Sequence, residues 1–73
     1  MSARKPMTDD QRVVAQILEL ERELKQREYV YPRMIERGTL NQATAERRIG
    51  LIRQAIQSLE HYREFLKGQL TMF

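Results

Sequence analysis

The sequence predicts an all-α fold: an antiparallel two-helix hairpin that pairs with a second copy into a four-helix bundle. Three observations carry this expectation. Two stretches of similar length repeat apolar residues every three or four positions, which is a helical period and not a strand period. A break of about four residues (Gly38 to Asn41) separates them and is short enough to make the helices antiparallel neighbours. The chain has 73 residues, no cysteine and one histidine. Disulfides and a four-ligand zinc site are therefore excluded as supplements to a small core, and another protein surface is left to supply the difference.

Residues 1–7 read as a flexible arm, since Pro6 and its small and basic neighbours show no apolar period. Thr8 is the expected N-cap of the first helix. Gln11 stands three residues on, in capping-box spacing, and Asp9 and Asp10 place negative charge in the first turn. From there Val13, Ile17, Leu20, Leu24, Tyr31 and Met34 are spaced 4, 3, 4, 7 and 3, a heptad stripe with Arg27 at its missing step. Val14 and Ile35 widen one flank. Glu21 with Lys25, and Glu23 with Arg27, are four residues apart in the favourable order.

Pro32 leaves two outcomes open. It has no amide for the Glu28 carbonyl, and its ring crowds that turn. Either the helix kinks near Pro32 and runs to about Arg37, or it stops near Val30. The stripe stays in phase across Pro32, which favours the kinked continuous helix over about 9–37.

Gly38 is suited to the left-handed position that closes a helix. Leu40 then precedes an N-cap at Asn41, positioned to pack on Ala45. The second stripe is Ala45, Ile49, Ile52, Ile56, Leu59 and Leu66, with Arg63 at its missing step. This helix is expected over about 42–67, ending at Gly68, with a tail at 69–73. At 1.5 Å per residue each helix is about 40 Å long. The two stripes together form the expected hairpin and dimer core. Leu18, Val30, Leu51 and Phe65 fall outside the seam, which is more apolar surface than two helices can cover between them.

Composition excludes several function classes. Charged residues are 32% and hydrophobic ones 41% of the chain, too apolar for a disordered chain and too charged for a span. No stretch approaches the roughly 18 apolar residues of a transmembrane helix, so no membrane role is expected. The first six residues lack the apolar region of a secretory signal. Absence of cysteine is compatible with a reducing compartment. His61 has Glu60, Glu64 and Ser58 near it, as a histidine on any charged helix would, and it reads as a surface residue. The three glycines are isolated, so no phosphate loop is present. No enzyme activity, catalytic residue, metal, cofactor or small-molecule substrate is expected.

Arg27 and Arg63 interrupt the stripes. Their stems can cover apolar surface while the heads reach water or a glutamate, or they can specify partner and register. Arg33, Arg37, Arg47 and Arg48 flank the turn with Tyr29 and Tyr31 close by, and only Glu36 and Glu46 oppose them locally. Tyr31, Arg33, Arg37, Arg47 and Arg48 are therefore the candidate contact site for an acidic protein surface or for phosphates. Ordinary arginines at helix ends are the plainer alternative.

The residues Val30-Tyr31-Pro32-Arg33, Gly38, Leu40 and Ala45-Glu46-Arg47-Arg48-Ile49 form a combination that resembles small helical proteins encoded by bacteriophages and prophages. These share a Y-P-R segment, a G-x-(L or M) turn and an A-(D or E)-R-x-x-I spacing. The similarity covers roughly residues 19–60. It implies a phage or prophage setting in a bacterial cytoplasm and transfers no activity. The resulting expectation is a non-enzymatic accessory protein that self-associates and binds a host or phage protein. The alternative is a small nucleic-acid-binding accessory protein that uses the basic tip.

Overall fold

The computed structural model describes residues 6–71, and the first five residues of the expected arm and the last two of the expected tail lie outside them. Two helices follow one another, α1 over Asp9–Glu36 and α2 over Gln42–Thr71, with no strand among the described residues. They pack side by side as an antiparallel hairpin.

The start of α1 is fixed by its cap. The Gln11 amide donates to Thr8 Oγ1 at 3.1 Å, and the Thr8 amide donates to Gln11 Oε1 at 3.0 Å. Two amides with no partner inside the helix are thereby satisfied reciprocally. The helix then runs through Pro32 without interruption to Glu36, so the chain does not stop near Val30.

The turn is built by Gly38. Its φ is +78°, a left-handed conformation in which a Cβ would strain the backbone. The Gly38 amide donates to the Ile35 carbonyl and the Thr39 amide to the Met34 carbonyl, the paired bonds of a Schellman closure. Thr39 adds its hydroxyl to the same Met34 carbonyl at 3.1 Å. A Cβ on Gly38 would meet no atom within 4 Å, so only the backbone conformation opposes a side chain there. Gly38→Ala is expected to cost about 1 kcal/mol, read as a lower midpoint in a thermal melt, while leaving the hairpin assembled.

Asn41 opens α2. Its Oδ1 accepts from the Thr44 amide at 2.7 Å, and its carbonyl accepts from the Ala45 amide at 3.1 Å. The far end of α2 differs from the expected boundary. The helix does not stop at Lys67 but continues through Gly68 and Gln69 to Thr71, so 69–71 are not a tail. Gly68 keeps a negative φ and so does not form the left-handed closure that Gly38 does. No proline follows it to enforce a stop.

The core is thin. Among the described residues only Val13, Tyr31 and Ala45 are buried hydrophobics. Ile17, Leu20, Leu24, Met34, Ile49, Ile52, Ile56, Leu59 and Leu66 are half-buried. No member of either stripe is exposed, but two helices leave most of them partly open to water.

Ion pairs tie the helices together at two levels. Arg63 Nε lies 2.9 Å from Asp10 Oδ1 near the open end, and Arg53 Nη2 lies 3.0 Å from Glu28 Oε2 nearer the turn. All four side chains are 38% exposed or more, so each pair contributes at most about 1 kcal/mol and serves mainly to fix register.

Candidate functional site: an arginine cluster at the turn

The two arginines that interrupt the stripes are both engaged inside the hairpin. Arg27 Nε donates to Glu23 Oε2 at 3.2 Å, and its Nη1 donates to the Tyr31 hydroxyl at 3.1 Å. These bonds, Tyr31 first and Glu23 second, raise the Arg27 pKa above its ordinary value, so it is charged at every accessible pH. Arg63 reaches across to Asp10. Each side chain is 38% exposed and holds a carboxylate with its head. The expected Glu23–Arg27 pair forms. Glu21 and Lys25 form none.

The other arginines divide by place in the fold. Arg12 pairs with Asp9 at 3.0 Å and Arg22 with Glu19 at 2.9 Å, so along with Arg27, Arg53 and Arg63 they hold a carboxylate. Among the described residues, Arg33, Arg37, Arg47 and Arg48, the four that flank the turn, hold none. All four are exposed. Glu36 lies among them without pairing, and Glu46 accepts instead from Gln42 Nε2 at 3.0 Å. Unpaired guanidinium groups on both sides of one tight turn are the geometry that accepts carboxylates or phosphates from outside.

The aromatic partner of this cluster is Tyr29 and not Tyr31. Tyr31 is 7% exposed, and its hydroxyl accepts from Arg27, so it belongs to the core. Tyr29 is 61% exposed, and the Arg33 guanidinium stacks over its ring at 4.2 Å from the centroid. Tyr31 marks the seam because it is in step with Leu24 and Met34. Tyr29 lies two residues earlier, about 200° round the helix, and faces out.

On another side of the hairpin a shallow apolar groove runs between the helices near the turn. Tyr31, Pro32, Ile35, Ala45 and Ile49 line it, with Glu28 and Glu46 also on its wall. His61 lies in a separate open depression with Gln57, Glu60, Arg63 and Glu64. Among the described residues no group of three histidine, aspartate or glutamate side chains is placed to hold a metal ion. No described helix is long and apolar enough to cross a membrane.

No family model, curated protein or solved structure matches the chain.

Proposed function

We propose that this chain is a non-enzymatic accessory protein of phage or prophage type, working in the bacterial cytoplasm. It acts by self-association and by binding a host or phage protein. In this reading two hairpins pair into a four-helix bundle, and Pro32 bends α1 where the Glu28 carbonyl lacks an amide donor. The observation that carries the proposal is the incomplete burial of the hairpin. Its surface is 6383 Å², whereas a compact monomer of 73 residues exposes about 4800 Å². Leu18, Leu51, Tyr62 and Phe65 add large exposed apolar side chains outside the seam.

A melt followed by circular dichroism across a hundredfold dilution tests the self-association. The expected midpoint falls as the protein is diluted, because a fold completed by a second copy depends on its concentration. A cooperative melt with an unchanged midpoint across that range overturns it.

The arginines without carboxylates favour a second reading, a nucleic-acid-binding accessory protein that uses the turn. Both readings place the contact at Arg33, Arg37, Arg47 and Arg48. They differ in whether the incoming anion is a carboxylate or a phosphate.

A further inference from the structure

We infer that the second copy docks antiparallel, with the two turns at opposite ends of the bundle, through the α2 face that carries Leu51, Ala55, Tyr62 and Phe65. This rests on the self-association proposed above and adds its face and its direction.

The face is a stripe of its own. Leu51, Ala55, Ser58, Tyr62 and Phe65 are spaced 4, 3, 4 and 3, one step round the helix from the seam. Leu51 is 56% and Phe65 58% exposed, and the Tyr62 and Phe65 rings stack at 6.4 Å between centroids. Arg53, which pairs with Glu28, projects about 200° from Leu51, so this face lies away from that inter-helix contact. The other exposed apolar group, Met7 with Leu18 beside half-buried Val14, gives way to Glu21 and Arg22 within a turn of Leu18.

The spacing is self-complementary in one direction. With two copies of α2 antiparallel about Ser58, Leu51 of each meets Phe65 of the other. Ala55 meets Tyr62, a small side chain against a large one. A parallel arrangement sets Tyr62 against Tyr62 and leaves Ala55 against Ala55.

Charge selects the same direction. Residues 27–53, the turn half, carry six arginines against three glutamates. Residues 1–26 and 54–73, the open half, carry seven carboxylates against seven cations. Opposed turns set each basic half against a neutral one, whereas adjacent turns stack two basic halves. The chain exposes roughly 1600 Å² more than a compact one of its length, about twice the 800 Å² per partner that a standard interface buries. Each pole of the bundle then carries one arginine turn.

Absence of cysteine makes a single introduced thiol unique. Exposed Ala43 and Gln69 mark the turn end and the open end of α2. With Ala43→Cys spin-labelled, pulsed electron resonance is expected to give about 45 Å between the two labels, from 15 residues on each side of Ser58. Turns at the same end give less than about 25 Å, given helix spacings of 8–10 Å. Mixing singly labelled Ala43→Cys and Gln69→Cys chains reverses the expectation, to a short distance. A dimer with close Ala43 labels overturns the direction and leaves self-association standing. A monomer by sedimentation at every concentration overturns both, and a higher oligomer with several label distances overturns the two-copy arrangement. Phe65→Ser is expected to weaken dimerisation at least tenfold and Leu18→Ser to change it less than twofold, and the opposite pattern overturns the face.

Discussion

Tyr31→Ala is expected to remove most of the stability of the hairpin. Tyr31 is one of three buried hydrophobic residues among those described, and it packs where α1 meets the start of α2. Truncating a buried aromatic side chain to alanine costs about 3–5 kcal/mol, through lost transfer energy and the cavity left behind. A domain of this length has a total stability of roughly 4–11 kcal/mol, so the loss is comparable to the whole. The Tyr31 hydroxyl also accepts from Arg27 at 3.1 Å. Tyr31→Phe removes that bond alone and leaves Arg27 on Glu23, so a cost of only about 0.5–1.5 kcal/mol is expected. Urea titrations of the two variants at one protein concentration separate the contributions. Equal losses would mean that the hydroxyl, and not the ring, carries the role of Tyr31.

Tyr31 also shows where sequence reasoning ran out. Its place in the stripe puts it in the seam, while its nearness to Arg33 suggests a contact residue, and one side chain cannot serve both. Helical phase decides between them, and the same phase turns Tyr29 outward beneath Arg33. The local signals at Thr8, Gly38 and Asn41 were legible because each cap depends on residues within five positions. Gly68 misled because a glycine permits a left-handed closure without enforcing one, and here the helix continues. The division of the arginines was only partly legible. Arg12, Arg22 and Arg27 have acids three or four residues earlier, visible in the sequence. The partners of Arg53 and Arg63 are 25 and 53 residues away and appear only once the hairpin closes. Without those long-range pairs, Arg53 looks as available as Arg48.

The fourfold variant Arg33→Gln, Arg37→Gln, Arg47→Gln, Arg48→Gln is expected to keep the fold and lose anion binding. Among the described residues none of the four holds a carboxylate, so no buried or paired charge there is stranded by their removal. Glutamine is close to arginine in helix propensity. Among the described residues the side-chain contact given up is that of Arg33 over exposed Tyr29, worth about 0.5–1 kcal/mol, together with the favourable charge of Arg33 in the last turn of α1. Binding should respond far more strongly. If the incoming groups are phosphates, four contacts to random single-stranded DNA give log K a slope near −3 against log salt, at about −0.7 per contact. The variant should flatten that slope, whereas neutralising Arg12 and Arg22 should barely change it, because those guanidinium groups already face carboxylates. Wild-type protein that binds neither DNA nor RNA at low salt removes the phosphate reading, since such contacts are strongest there. An acidic protein surface then remains as the partner of the turn. Net charge cannot make this distinction, because it counts paired and unpaired arginines alike. The salt slope can, because a guanidinium displaces counterions from a phosphate only when no internal carboxylate holds it.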